Sequence, residues 1–336
     1  SALPAIQCLR SGGADASGDC EDHSAGGGNQ PRGEVAAVSG GAPEVRHREL
    51  RGGRLADSGV VGVVVESGVS RGDQGYSGTL PAHGRGGAMN PGEYEALSAN
   101  EERLWWFRGM RRIADVLLDR YCAAGRGARI LEAGCGTGYD ASRFARERGW
   151  AVTVVDLSPV AAGLARRRGL EPAVADIRKL PFRNGSFEGL ISLDVLVHLE
   201  PEGQSAAIGE FARVVSPGGW MLLRVAALKA LRSRHSEWVG ERHRVRLGEV
   251  RAKVEAAGLR VLRATYANSL LLPVALMKFR IWEPLTGAPA ASGVELPAGW
   301  LNGLLELPLR VEAEWLRAGR RLPIGQSVWV VASKAG

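Results

Sequence analysis

Three glycines at alternate positions, Gly134, Gly136 and Gly138, follow a short apolar segment and precede a stretch with helical periodicity. A glycine has no Cβ atom, so such a loop can turn tightly and bring its backbone close to a ligand. The helix that follows offers unpaired N–H groups in its first turn. The pattern therefore predicts a strand, a glycine loop and a helix that together bind a nucleotide-like cofactor.

Two acidic residues narrow the kind of cofactor. Glu132 lies just ahead of the first glycine, where a carboxylate would repel a pyrophosphate in a partly desolvated loop. It suits a cofactor that carries an ammonium and a sulfonium group. Asp156 ends the next predicted strand, where it can accept hydrogen bonds from two ribose hydroxyls. Residues 136–141 also fit a looser GxGxxA pattern, so a nicotinamide or flavin cofactor stays open as an alternative.

Strands and helices alternate along the chain from residue 129 onwards. Apolar runs bounded by turn signals predict strands at residues 129–132, 151–156, 172–175, 187–193, 220–225, 259–266 and 327–332. Helical patterns lie between most of them, and residues 90–127 predict helices ahead of the first strand. This order predicts an α/β fold with a Rossmann-like, mostly parallel sheet and helices on both faces. The apolar segment 268–322 predicts a helical insert between the last two strands, which we interpret as a substrate cover.

Composition divides the chain near Met89. Residues 1–88 hold nearly half of the 46 glycines but a single aromatic side chain, Tyr76. So few large side chains cannot offset the entropy of ordering a segment, and we predict a disordered or non-native leader over residues 1–88. Residues 89–336 are predicted to form one domain.

Charge and cysteine content favour a cytoplasmic protein. The net charge of +7 comes without a block of like charges, so we expect no nucleic-acid partner. The four cysteines form no CxxC pair, which favours a reducing compartment and predicts no metal site. No apolar run reaches the roughly twenty residues that span a bilayer, so we expect no transmembrane segment.

Five ordered motifs resemble those of the class I S-adenosylmethionine-dependent methyltransferases, and the resemblance covers nearly all of residues 90–336. The motifs lie at residues 130–138 (ILEAGCGTG), 155–158 (VDLS), 175–182 (ADIRKLPF), 187–198 (FEGLISLDVLVH) and 216–219 (SPGG). The resemblance implies a seven-stranded sheet whose last strand runs antiparallel. It also implies S-adenosyl-L-methionine as the cofactor and methyl transfer as the reaction.

The resemblance assigns a role to each cofactor-binding position. Its implied cofactor residues are Glu132, Gly134, Cys135, Gly136 and Gly138 at the methionine end, Asp156 and Leu157 at the ribose, Asp176 and Ile177 at the adenine, and Leu193 and Asp194 as the wall beside the methyl group. We interpret Cys135 as a small side chain that fits the loop, because no neighbouring base would activate it as a nucleophile.

The candidate acceptor-side residues are aromatic or titratable. Trp105 and Trp106 belong to a Trp-Trp-Phe helix similar to one in a bacterial subgroup of the family. They either form a wall of the acceptor pocket or pack in the core, since consecutive residues cannot share one helical face. His198 and His243 follow the fourth and fifth strands, at the sheet edge where open α/β folds bind ligands. Both are candidate general bases, with loop histidines without a catalytic role as the alternative.

We therefore expect methyl transfer to the oxygen, nitrogen or carbon of a small-molecule acceptor, such as an apolar quinone, a lipid-linked intermediate or a secondary metabolite. The chain departs from the subgroup's pattern at Ala226, Ser236 and residues 243–245, at the predicted rim of the substrate site. An NAD(P)-dependent oxidoreductase using the same loop and a non-catalytic methyltransferase-like binding protein are the alternatives. An RNA methyltransferase is a further one, without an aromatic-basic pattern to support it.

Overall fold

A seven-stranded sheet forms the centre of the computed structural model, which describes residues 89–287 and 289–336. The predicted leader over residues 1–88 lies outside this part of the chain. The strands are β1 (Arg129–Ala133), β2 (Ala151–Asp156), β3 (Ala173–Val174), β4 (Phe187–Leu193), β5 (Val215–Ala226), β6 (Leu259–Ala267) and β7 (Ser327–Lys334). Their order across the sheet is β3-β2-β1-β4-β5-β7-β6. Only β7 runs antiparallel to its neighbours, so the predicted fold class is confirmed for the described residues.

Ten α-helices accompany the sheet in the described residues. They are α1 (Pro91–Asn100), α2 (Trp105–Tyr121), α3 (Tyr139–Arg148), α4 (Pro159–Arg167), α5 (Pro201–Val214), α6 (Arg234–Trp238), α7 (Leu247–Ala256), α8 (Leu272–Met277), α9 (Glu283–Thr286) and α10 (Gly299–Arg317). A single π-helical turn, Lys278–Trp282, joins α8 to α9. The segment between β6 and β7 is therefore helical, as the sequence predicts.

Successive strand residues point into two apolar cores, one on each face of the sheet. On β1, Leu131 packs in the core that includes Phe211 of α5, whereas Ile130 packs in the core that includes Leu117 of α2. Side chains alternate along a strand, so an apolar run of this kind buries both faces. This explains why the central strands are almost continuously apolar and why helices cover both sides.

Strand β5 begins earlier than the sequence predicts. Val215 pairs with Phe187 of β4, and Trp220 pairs with Gly189 only after a shift in register. The Ser-Pro-Gly-Gly turn thus lies within the strand as an irregularity, which Gly218 permits with its φ of 76°. The structure thus assigns to β5 the residues that the sequence predicts as a turn ahead of the strand.

The insert is held to the N-terminal helices by a contact between α10 and α2. The side chain of Asn302 accepts a hydrogen bond from the backbone N–H of Trp105 (2.9 Å) and donates one to the carbonyl of Arg103 (2.9 Å). One turn further on, Gly109 faces Leu309 so closely that a Cβ atom on this glycine would lie 2.6 Å from the Cβ of Leu309. The close approach of the two helices therefore requires a glycine at position 109.

The substitution Gly109→Ala is expected to lower the free energy of unfolding. Steric overlap of this kind costs about 1–3 kcal/mol, which exceeds the gain from replacing a helical glycine. The matched control is Gly303→Ala in α10, where a Cβ atom would meet nothing within 4 Å. The control should stabilise the protein by about 0.5–1 kcal/mol. Chemical denaturation measures both, and equal effects of the two substitutions would contradict the proposed contact.

Candidate active site

The glycine loop has a left-handed backbone at each of its three glycines. The φ angles are 83° at Gly134, 54° at Gly136 and 75° at Gly138. A Cβ atom on Gly134 would lie 2.2 Å from a methyl carbon of Val195, in the segment that follows β4. The loop therefore needs glycine at position 134 both for its backbone angle and for the close approach of the neighbouring strand end.

Asp156 holds this loop in shape from the end of β2. One carboxylate oxygen accepts a hydrogen bond from the N–H of Gly136 and the other from the N–H of Ser158, each at 2.9 Å. The side chain is buried. Burial raises the pKa of Asp156, and the two backbone hydrogen bonds partly oppose that rise. The sequence predicted Asp156 as a ligand for ribose, but it did not predict that the same carboxylate organises the loop.

Glu132 is a buried carboxyl group at the end of β1, beneath the loop. Its Oε2 atom has no hydrogen-bond partner within the described residues. Burial first, and then the charge of Asp140, raise its pKa well above the ordinary value. A buried carboxylate is costly without a compensating charge or donor, so this position favours a cationic or hydrogen-bonding ligand group.

A second carboxyl group reaches the loop from the N-terminal helices. Glu101 follows α1, and both of its oxygens lie within hydrogen-bond distance of the Thr137 hydroxyl (2.6 and 2.8 Å). Arg168, after α4, donates to the same carboxylate at 2.7 Å. Burial raises the pKa of Glu101 to about 7 in spite of these partners. Sequence analysis missed this contact because its members are far apart in the chain and carry no local motif.

The carboxylates after β3 and β4 are each paired with an arginine. Asp176 binds the side chain and the N–H of Arg178, and these contacts lower its pKa. Asp194, with a φ of 57°, accepts a hydrogen bond from Arg224 of β5 at 2.8 Å. The guanidinium of Arg224 lies 4.9 Å from the ring centre of Trp106. Arg224 therefore links the predicted methyl-side wall to the predicted acceptor wall, and the sequence analysis did not single it out.

These groups border one cavity of about 920 Å³. Among the residues predicted from the sequence, it is lined by Glu132, Gly134, Cys135, Gly136, Asp156, Leu157, Asp176, Ile177, Leu193, Asp194, Trp105, Trp106 and His198. Gly138 and His243 do not line it. The size lies at the upper end of the usual range for ligand pockets, roughly 300–1,000 Å³, so the cavity offers room for more than one ligand.

The segment 289–297, between α9 and α10, crosses one side of the cavity and is fastened at two points. The N–H of Gly293 donates to Nδ1 of His235 (3.0 Å), and the side chain of Asn100 donates to the carbonyl of Val294 (2.9 Å). Val294 is buried. The insert thus contributes a wall that is tied to α1 and α6.

The two candidate histidines differ in position. His198 lines the cavity, and its Nδ1 lies 3.3 Å from the carbonyl of Gly240. Burial lowers the pKa of His198, which favours the neutral imidazole that a general base requires. His243 lies outside the cavity lining, and its Nε2 is 2.9 Å from a carboxylate oxygen of Glu249. The geometry supports His198 as a candidate base and gives no such support to His243.

Cys135 is buried, and burial raises the pKa of its thiol. The thiol therefore stays protonated, which disfavours a nucleophilic role.

In the part of the chain that the structure describes, no group of three or more His, Cys, Asp or Glu residues is arranged to hold a metal ion. Within the same ranges, no helix combines the length and the apolar character needed to cross a membrane.

Several known methyltransferases are similar in sequence to part of this chain. A relative from Serratia marcescens, a malonyl-[acyl-carrier protein] O-methyltransferase, is 32% identical over 46% of this chain and 58% of its own length. A ubiquinone biosynthesis O-methyltransferase from Xanthomonas oryzae is 32% identical over 44% of the chain and 64% of its own length. A probable tRNA methyltransferase 9B from Homo sapiens is 35% identical over 33% of the chain and 24% of its own length. The chain thus spans less than two thirds of each of these relatives.

Among solved structures, this chain resembles one protein chain of a complex described as that between the Haloferax volcanii Trm112 methyltransferase activator and the putative methyltransferase. The two are 20% identical, with a TM-score of 0.49, over 73% of this chain and 98% of that chain. Residues 130–219, from β1 to the turn in β5, match the family described as methyltransferase domain. Residues 130–219 of this chain, which include the glycine loop, therefore resemble a methyltransferase domain.

Proposed function

We propose that the protein transfers the methyl group of S-adenosyl-L-methionine to a small-molecule acceptor. The observation that carries the proposal is the single cavity of about 920 Å³, which is bordered both by the glycine loop and by the helical insert. One end presents the acidic strand termini that suit a cationic nucleoside. The other end presents apolar and aromatic side chains that suit a second molecule.

The proposed cofactor position follows the strand ends. Glu132 and the glycine loop hold the methionine end, Asp156 and Leu157 the ribose, and Asp176 and Ile177 the adenine. Leu193 and Asp194 form the wall beside the methyl group. The unpartnered Oε2 of Glu132 supports this placement, because an ammonium or sulfonium group would supply the missing positive charge.

The proposed acceptor position is next to Trp105 and Trp106. The insert adds further apolar groups to the same wall: Leu271, Val274, Ala275, Phe279 and Leu305. Such a lining favours a largely apolar acceptor, such as a quinone, a lipid-linked intermediate or a secondary metabolite. Two relatives are named as O-methyltransferases, one of ubiquinone biosynthesis and one of malonyl-[acyl-carrier protein], and these names support transfer to oxygen.

The proposed reaction mainly requires that the acceptor be aligned with the methyl group of the cofactor. When bound, S-adenosylmethionine supplies an electrophilic methyl carbon on a sulfonium. The protein has to hold the acceptor in line with that carbon and to exclude water, which the segment 289–297 favours by closing one side of the cavity. His198 is placed to remove the proton of an oxygen or nitrogen acceptor. His243 as a base remains a prediction from the sequence alone.

The alternatives have less support. A pyrophosphate-containing cofactor would lie against the buried carboxyl group of Glu132, which disfavours a nicotinamide-dependent oxidoreductase. The likeness to a probable tRNA methyltransferase extends over only 24% of that relative. A non-catalytic binding protein would not need the acceptor half of the cavity.

The proposed location is the cytoplasm. Its reducing environment agrees with the two described cysteines, Cys122 and Cys135, which are both free.

The ribose assignment is tested by combining a protein change with a ligand change. Because Asp156 also accepts a hydrogen bond from Gly136, its removal alone would disturb the loop. We therefore expect Asp156→Asn to weaken the binding of adenosylhomocysteine by about 1–3 kcal/mol, and to weaken the 2′-deoxyribose analogue by less. Calorimetry measures the affinity of the native chain and of the Asp156→Asn variant for each of the two ligands. Equal losses for both ligands would contradict contact between Asp156 and the 2′-hydroxyl.

The state of Glu132 predicts a pH dependence of cofactor binding. Its raised pKa favours the protonated carboxyl group in the unliganded protein, and a nearby cation favours the charged form. Binding of S-adenosylmethionine should therefore release a proton, and its affinity should increase with pH until Glu132 is ionised without the ligand. Calorimetry in two buffers of different ionisation enthalpy measures the release. Glu132→Gln should abolish it, and release that persists in this variant would contradict the assignment.

The raised pKa of Glu132 also predicts that the unliganded protein becomes less stable as the pH rises. Because the folded-state pKa is above the unfolded value, its contribution to stability is complete below the unfolded pKa, about 4.3, and is lost as pH rises through the folded pKa. Thermal unfolding against pH should show this loss for the native chain and a smaller one for Glu132→Gln.

Replacement of the proposed base should affect turnover without affecting cofactor binding. We expect His198→Gln to lower kcat by about 10²–10⁴-fold for an oxygen or nitrogen acceptor and to remove the acidic limb of the pH–rate profile. Because burial lowers the pKa of His198, that limb should lie below the ordinary range for histidine, about 6.5. Adenosylhomocysteine release over a panel of acceptors provides the assay. His243→Gln is the comparison, and a larger loss in that variant would favour His243 as the base.

A further inference from the structure

Helix α10 carries two apolar stripes on opposite sides. The inner stripe, Leu309, Ala313 and Leu316, is buried. The outer stripe consists of Trp300, Leu304, Leu307, Val311 and Trp315, all of them exposed. Its spacing of three or four residues places these side chains on one face, and Trp300 is 74% exposed. A helix with only one buried face needs only one apolar stripe, so the outer stripe has a separate explanation.

The other helical part of the insert repeats this pattern. From α8 to α9, the exposed apolar residues are Val274, Leu276, Met277, Ile281, Trp282 and Leu285, of which Leu276 is the least exposed. Leu285 is 78% exposed. Single exposed apolar side chains are normal on a protein surface, but two neighbouring segments of helix with such stripes are not. The insert therefore presents two exposed apolar stripes, one on α10 and one from α8 to α9, which together are called its apolar surface below.

The charges around this surface favour a negatively charged partner. The exposed basic residues of the insert and the loop after it are Lys278, Arg280, Arg317, Arg320 and Arg321. Its exposed acidic residues are Glu295 and Glu314, and Glu314 is already paired with Arg317. The other two acidic residues of α10, Glu306 and Glu312, are buried.

Exposed tryptophans identify the kind of partner. Trp282, Trp300 and Trp315 lie on the apolar stripes, and tryptophan prefers the boundary between lipid headgroups and acyl chains. Amphipathic helices with tryptophan and leucine on one side and basic residues around them bind in the plane of that boundary.

We propose that helices α8 to α10 dock on an anionic phospholipid surface, with their exposed apolar stripes in the headgroup region. Val274 is both exposed on a stripe and part of the cavity lining, and Lys278 lines the cavity from the same helical segment. The docked surface thus adjoins the mouth of the cavity. If the proposed function is correct, an apolar acceptor can reach the site from the lipid layer, but docking itself does not depend on that function.

The test is co-sedimentation of the full chain with vesicles of equal parts phosphatidylglycerol and phosphatidylcholine, and with vesicles of phosphatidylcholine alone. We expect binding to the anionic vesicles, weaker binding to the neutral ones, and a decrease when added salt screens the charges. The double variant Trp300→Ser and Val311→Ser should weaken binding at least about tenfold, because both side chains leave water only on docking.

A matched pair of single substitutions separates docking from a general loss of apolar surface. Val311 is 58% exposed on α10, and Val160 is 38% exposed on α4, away from the insert. Val311→Ser should weaken vesicle binding, whereas Val160→Ser should leave it unchanged. Circular dichroism and thermal unfolding are the controls that test whether both variants fold.

Two results would overturn the proposal. One is no vesicle binding, or equal binding by the native chain and the double variant. The other is self-association in sedimentation equilibrium that the double variant abolishes, together with absence of vesicle binding, because the stripes would then pair two copies of the chain. Neither result bears on adenosylmethionine binding or turnover, so the lipid surface and the proposed reaction are judged separately.

Discussion

The buried carboxylate of Asp156 is the interaction on which the rest of the site depends. It accepts one hydrogen bond from the glycine loop and another from the first turn leading into α4, at 2.9 Å each. Three other N–H groups of the loop donate to backbone carbonyls, and the carboxylate supplies the acceptor for the one at Gly136. The conformation of the loop and the position of α4 are thereby set by the same side chain. Any ligand that binds Asp156 meets a carboxylate that is already fixed.

The N-terminal helices extend this arrangement beyond the sheet. Glu101 connects α1 to the loop through Thr137, and α2 is held to the insert through Asn302 and Gly109. The glycine loop, the N-terminal helices and the wall of the cavity formed by the insert are therefore joined by consecutive contacts. Because several of the contacting groups are buried, a shift of α2 would disturb the hydrogen bonds on both sides. This coupling gives the helices ahead of β1 a role in the site that their sequence alone does not indicate.

The sheet and its helices could be predicted from the sequence because their signals are local. The strands at residues 151–156 and 187–193 have the same bounds in the structure as in the sequence analysis. Alternating burial on both faces and turn residues at the ends account for that agreement. Four other strands differ from the predicted bounds by one or two residues, whereas β5 begins five residues earlier and contains an irregularity in its pairing with β4.

The residues of the candidate site could be predicted only in part from the sequence. Acidic residues at strand ends could be read from the order of the motifs, since parallel strands bring their carboxyl ends to one edge. Glu101 and Arg224 could not, because each acts through a partner far away in the chain, Thr137 in one case and Asp194 in the other. His243 has the residue type of a base and follows the expected strand, yet it faces Glu249 outside the cavity. Residue type and chain position predict a sheet edge, but not the direction of a side chain.

The donor half and the acceptor half of the cavity are built from different kinds of secondary structure. The donor half is made of strand ends and a glycine loop, whose geometry is fixed by the sheet. The acceptor half is made of helices that need apolar residues for three separate purposes: packing on α2, lining the cavity and forming the exposed stripes. Val274 serves two of these at once, and Leu309 serves only the first. An apolar pattern with overlapping purposes does not reveal which residue serves which purpose. The insert's sequence therefore indicates an apolar environment for the acceptor without specifying the acceptor's shape.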